Sequence, residues 1–177
     1  MRQLIRSGLW ADRRGAAVIE MALVAPVFAL VVIGIVDISN AYTQKLALEQ
    51  GAQRAIEKVM QTTGTTTVES TIKTEAVCQV NGLNTDGTCK TTPISASNVT
   101  VTYRLECQDT AGTITSQTAT DAATFDALEC APATKEARYL EVAVTDKYTP
   151  LFPVHFAAFT TGDGTYHLSA RAGMRTQ

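Results

Sequence analysis

The sequence predicts an α+β protein: one long N-terminal helix, apolar in its first half and amphipathic in its second, followed by a small antiparallel sheet. Three observations carry this reading. An apolar run, Ala16 to Val36, follows an arginine-rich start. Residues Ile38 to Gln61 mix apolar and polar side chains at helical spacing. Beyond them, three segments alternate apolar and polar residues, the period of a half-buried strand.

The apolar run holds 21 residues, which as a helix reach about 30 Å at roughly 1.5 Å per residue, the thickness of a bilayer core. Its one charge is Glu20, and the uncharged part, Met21 to Val36, holds 16 residues. Pro26 lies inside it and removes a backbone donor, so a kink or loosened turn is expected there. Ahead of the run, Arg2, Arg6, Arg13 and Arg14 against Asp12 give a local charge of +3, within a chain of net charge −2. A basic leader before an apolar segment places the N-terminus in the cytoplasm and the following chain outside it. The near-neutral total offers no ground for nucleic-acid binding.

In the amphipathic half, Leu48, Ala52, Ala55, Ile56, Val59 and Met60 recur at spacings of three and four, opposite Gln44, Lys45, Glu49, Gln53, Arg54, Glu57 and Lys58. The threonine-rich stretch from Thr62 to Thr67, with Gly64, ends the pattern. The strands are expected at Val99–Cys107, Tyr139–Thr145 and Tyr166–Arg175. Asn84-Thr85-Asp86-Gly87 and Gly162-Asp163-Gly164 are turn signals. The first of these lacks the downstream glutamate of a calcium loop, so a tight turn is preferred. Residues 109–132 are polar and read as a loop with room for a short helix. The domain organisation is then a basic leader at 1–15, a transmembrane helix at 16–37, an amphipathic extension at 38–61 and an exported β-rich domain at 62–177.

All four cysteines, Cys78, Cys89, Cys107 and Cys130, follow the apolar run. In an exported domain an even count points to two disulfides. Four cysteines allow three pairings, of which Cys78–Cys89 with Cys107–Cys130 is preferred because each bond closes a local loop. The spacings are wide and contain no Cys-x-x-Cys, which disfavours zinc. No metal and no cofactor is expected.

Enzymatic chemistry finds little support. The histidines are His155 and His167, and the chain has no phosphate-binding glycine loop and no nucleophile elbow. Ser169 follows His167 by two residues on an expected strand, which puts both on one outward face, the usual place of solvated residues. The segment Tyr148 to Phe159, with Leu151, Phe152 and Phe156, is apolar and aromatic and is interrupted by Pro150 and Pro153. It reads first as a cap on the sheet's core, and alternatively as an exposed patch in contact with another subunit.

Glu20 needs an explanation, because a lone carboxylate in a membrane segment is costly. It could sit at the interface and reach water. A second reading takes it with Gly15 and Ala16. A cut after Gly15 makes Ala16 the N-terminus, and its ammonium then lies one helical turn from Glu20, in the same chain or a neighbouring one. Pairing makes such a carboxylate tolerable, and a first-turn position suits the helix dipole.

This pattern of basic leader, glycine and apolar helix with glutamate at mature position five resembles a type IV prepilin. Within that group the chain resembles the TadE-like family of the tight-adherence pilus system. Arg13 to Phe28, RRGAAVIEMALVAPVF, carries the resemblance, together with Tyr148-Thr149-Pro150-Leu151-Phe152-Pro153 and the closing Leu168 to Arg175. Residues 62–135 show no recognisable family features. The resemblance implies a minor pilin or pseudopilin, cut by a membrane-embedded prepilin peptidase between Gly15 and Ala16, with Glu20 as the signature acidic residue. It implies other pilin or TadE/TadF-like subunits, the pilus secretion machinery and membrane lipid as partners. It places the chain in the inner membrane, its C-terminal domain in the periplasm, and at the pilus or cell surface after assembly. Met21 follows the glutamate where the system's major pilins have tyrosine, which favours a minor or accessory subunit. Two alternatives remain: a soluble periplasmic domain released by a signal peptidase after Ala41, in the sequence Ser39-Asn40-Ala41, and a plain membrane-anchored interaction protein.

Overall fold

A computed structural model of the chain describes residues 13–61, 69–152 and 162–176. It shows the expected α+β build, a long apolar N-terminal helix followed by a four-stranded antiparallel sheet. Helix α1 runs without interruption from Arg13 to Gln61 and passes through Pro26. Its apolar part is long enough to cross a membrane by length and composition, and almost all of that part is exposed. From Leu48 the same helix turns inward. Leu48, Ala52, Ala55 and Ile56 are buried in the core of the domain. The small residues of this face let a second helix approach closely.

That second helix, α2 at Glu69–Asn81, was not expected from the sequence. Its buried apolar residues are Ile72 and Ala76, one turn apart, and its remaining threonine and charged positions blur the periodicity. It packs along α1. The contact is tightest at Gly51, where an added Cβ would lie 2.5 Å from Val80 Cγ2 and 3.0 Å from the Ala76 carbonyl oxygen.

The strands are β1 (Val99–Gln108), β2 (Ile114–Ala119), β3 (Lys135–Tyr148) and β4 (Tyr166–Arg175), in the order β2-β1-β3-β4. Register pairs Val99 with Val144, Val101 with Val142 and Tyr103 with Leu140, so the alternating apolar residues of β1 and β3 share the face turned to the helices. Leu105, Val142 and Val144 are fully buried there, and each such side chain contributes about 1.5–3 kcal/mol relative to exposure. The opposite face carries Thr100, Arg104 and Arg171. Ser169 and His167 also point outward on β4, and His167 meets Asp163 at 3.0 Å rather than Ser169.

The polar stretch 109–132 departs from a plain loop. Residues 109–113 form a hairpin turn in which Gly112 takes a φ of +88°, a conformation glycine adopts without a Cβ penalty. The chain then returns as β2, and a short helix α3 follows at Ala122–Asp126. β2 is an edge strand with a single buried residue, Ala119, so it has no alternation to betray it. α3 seats Phe125 against Tyr103, with ring centroids 5.2 Å apart. Arg138, on the helix-facing side of β3, lies over the Phe125 ring and donates to the carbonyl oxygens of Phe125 and Leu128, at 3.3 and 2.9 Å. The cysteines pair as Cys78–Cys89 and Cys107–Cys130, with Cα atoms 4.8 and 5.6 Å apart. The first bond ties the end of α2 to the following loop. The second fastens the α3 segment to β1. At Asn84–Thr88 the chain makes a turn closed by Asn84 and Thr88, with Asp86 accepting from the Thr88 amide at 2.9 Å.

Candidate functional site

The functional question centres on the place where α1 passes from its exposed apolar half into the domain. Asp37 stands there. It follows the last residue of the apolar run, yet it is 2 % exposed. A carboxylate buried this far must be satisfied. Its Oδ1 accepts from the Tyr148 hydroxyl at 3.2 Å and from the Leu151 amide at 2.8 Å, and its Oδ2 faces the Phe152 amide at 3.4 Å. The helix therefore holds the end of β3 and the residues just beyond it. One turn below, Gly34 is buried as well.

Strand direction explains how these residues meet. β3 descends alongside α1 in the opposite sense: Asp146 accepts from Gln44, and two residues later Tyr148 reaches Asp37. β3 thus ends at the level where the apolar run ends, and β4 climbs back from Tyr166. Tyr148 and Tyr166 face each other across the pair with ring centroids 6.0 Å apart. Burial raises the Tyr148 phenol above its ordinary range, and the hydrogen bond to Asp37 and that carboxylate's charge push the same way. The phenol stays protonated and acts as a donor.

On the flank of this junction, Ile38, Ala41, Tyr42 and Lys45 of α1 and Tyr166 and Leu168 of β4 line a shallow apolar groove of about 230 Å³.

The sequence-expected residues fall into three groups. Gly15, Ala16 and Glu20 lie on the first turns of α1, Glu20 on an exposed part of the helix. Asp37 lies seventeen positions after Glu20, about 25 Å along a helix. Tyr148 is buried, whereas Leu151 is 66 % and Phe152 37 % exposed; these two do not cap the sheet's core. His155, Phe156 and Phe159 lie outside the described residues. Among the described residues no cluster of histidine, cysteine, aspartate or glutamate is arranged to hold a metal ion. Asp37 itself gives little signal in the sequence, since its partners lie 111 to 115 residues away.

Fold and junction together define a class: a chain with, among the described residues, one helix long and apolar enough to cross a membrane, continuous with the core of a small disulfide-bonded α+β domain. Residues 15–56 match the model of the TadE-like protein family. The matched segment contains Gly15, Ala16, Glu20 and Asp37 and reaches into the buried stretch of α1, so the N-terminal resemblance is a family match. Tyr148–Pro153 and Leu168–Arg175 lie outside it. No curated protein and no solved structure matches the chain.

Proposed function

We propose that this chain is a minor pilin or pseudopilin of a tight-adherence, Flp-type pilus. It is made as an inner-membrane precursor, with the leader in the cytoplasm and the disulfide-bonded domain in the periplasm. Prepilin peptidase cuts between Gly15 and Ala16. During assembly the helix leaves lipid and packs beside other pilin or TadE/TadF-like helices, with the exposed Ala22, Ala25 and Ala29 permitting close approach. The Ala16 ammonium of one subunit and Glu20 of the same or a neighbouring one pair and set the axial register. The chain serves pilus assembly or surface attachment, with no catalysis and no cofactor.

The observation that carries this reading is the buried Asp37 junction within the family-matched helix. A signal peptide is discarded, and its residues have no reason to be built into the domain. Cutting after Ala41 would remove Asp37 and leave the Tyr148 hydroxyl and the Leu151 and Phe152 amides without their acceptor. The helix and the domain are therefore better read as parts of one mature chain.

The test is the N-terminus of the protein purified from its native membrane, by intact mass and terminal sequencing. A chain beginning at Ala16 supports the proposal. One beginning at Tyr42 makes it a secreted soluble domain, and an uncut Met1 makes it a plain membrane anchor. Glu20→Gln is expected to be processed but to assemble poorly; normal pili in that variant would remove the register role of Glu20.

A further inference from the structure

Leu151 and Phe152 are large, apolar and exposed, and the structure fixes their height along α1. Asp37 accepts from the amides of both residues. In a helix the side chain leans toward the N-terminus, so these amides sit level with Asp37 or slightly toward the apolar half. That half, Ala17 to Val36, holds 20 residues, about 30 Å of helix and the thickness of a hydrocarbon core. When it spans a bilayer, Asp37 falls at the outer boundary and the residues it holds fall with it.

We propose that Leu151 and Phe152 enter the headgroup–acyl boundary of the outer leaflet and seat the domain on the lipid surface as a second contact beside the helix. The inference rests on the membrane-anchored reading above. Val36 and Ile38, the neighbours of Asp37 on the helix, are exposed too, so the apolar surface of α1 reaches the same height as the two residues that Asp37 holds. Exposed apolar side chains at this depth are favoured in lipid and not in water. Asp37 is what makes the seat possible: it satisfies two backbone donors that would otherwise face a medium poor in acceptors. The domain is then held at a fixed tilt until the helix is withdrawn, when the patch is uncovered.

The test uses the full chain reconstituted in phosphatidylethanolamine–phosphatidylglycerol nanodiscs, with Trp10→Phe to remove the native indole. Single tryptophans are placed by Phe152→Trp, by Leu151→Trp as a second reporter at the more exposed site, by Phe28→Trp in the helix and by Ile114→Trp on the far hairpin. Lipids brominated near the headgroup or deep in the chain serve as quenchers. The expected result is blue-shifted emission at 152 and 151 that is lost preferentially to the shallow quencher. Phe28→Trp should be quenched by the deep one and Ile114→Trp by neither. If position 28 is quenched while 151 and 152 emit like 114, the lipid seat is wrong and the anchor stands. If position 28 is not quenched, the anchor reading fails and the inference with it. If 151 and 152 are shielded only after another pilus subunit is added, the patch is a protein contact and the lipid proposal is overturned.

Discussion

The Tyr148 hydroxyl donates to Asp37 across a separation of 111 residues, 3.2 Å from oxygen to oxygen, in a site where the carboxylate is almost fully buried. This bond joins the end of β3 to the helix just where the apolar run stops. Replacing Asp37 by alanine leaves the Tyr148 hydroxyl and the Leu151 amide without an acceptor. The expected loss is about 1–3 kcal/mol for such unsatisfied buried groups. Tyr148→Phe, which removes one donor and keeps the ring, should lose about 1 kcal/mol. Chemical denaturation of both variants in detergent checks the order; an Asp37→Ala variant as stable as wild type would show that the junction contributes nothing.

The same bond gives the protein an alkaline limit. Burial first, then the charge of Asp37 or Glu69, raises the phenols of Tyr148 and Tyr103 above the ordinary value. The unfolded chain gives up these protons near pH 10, whereas the folded one retains them. Their contribution is therefore complete below about pH 10 and declines as pH rises beyond it. Unfolding midpoints followed from neutral to strongly alkaline pH should fall above that point. The fall should be shallower in Tyr148→Phe and in Tyr103→Phe; equal slopes in all three chains would refute the assignment.

Gly51 sets the distance between α1 and α2. A methyl group there would meet Val80 Cγ2 and, less forgivingly, the backbone oxygen of Ala76. Val80 can rotate aside, but the carbonyl cannot move without the helix. Gly51→Ala should lower stability by about 1–3 kcal/mol, as overpacking does, although alanine is the better helix former by about 1 kcal/mol. Gly173→Ala, with Leu140 O at 3.2 Å from the added Cβ, is the milder comparison. A Gly51→Ala chain more stable than wild type would mean that α2 is free to shift.

Two disulfides fasten the loop after α2 and the segment after α3 to the rest of the domain. Non-reducing peptide mapping of the purified protein should recover Cys78 with Cys89 and Cys107 with Cys130, and no free thiol after denaturation. Removing either bond by a double cysteine-to-alanine change should cost about 2–4 kcal/mol. The longer loop, with 23 residues of separation against 11, should lose slightly more. Crossed pairings in the map would refute the connectivity.

The legible parts of this chain are those whose side chains repeat. β1 shows its inward residues every second position from Val99 to Cys107, because one face is buried and the other is not. The apolar half of α1 is visible because every residue is greasy, and its domain half because Leu48, Ala52 and Ala55 recur on one face. α2 shows just two buried apolar side chains, Ile72 and Ala76, and two points do not make a period. β2 is an edge strand of threonine, serine and glutamine whose identity comes from pairing with β1, a property of the fold and not of the segment. Asp37 reads in the sequence only as the last residue of a membrane span. Its importance is created by Tyr148, Leu151 and Phe152, which the strand order brings back to it. Long-range hydrogen bonds of this kind leave no local pattern.

Helix α1 is one uninterrupted rod from Arg13 to Gln61, and its two halves obey different solvents while sharing one backbone. Its mechanical meaning is that of a lever with the load built into one arm. A pull or twist applied near Glu20 reaches Leu48 and Ala52 along one helical backbone, whose hydrogen-bond ladder skips the donor that Pro26 lacks, and the Asp37 clamp fastens it laterally on the way. A force on the lower arm is therefore delivered to the sheet along the shaft, and the domain travels with it.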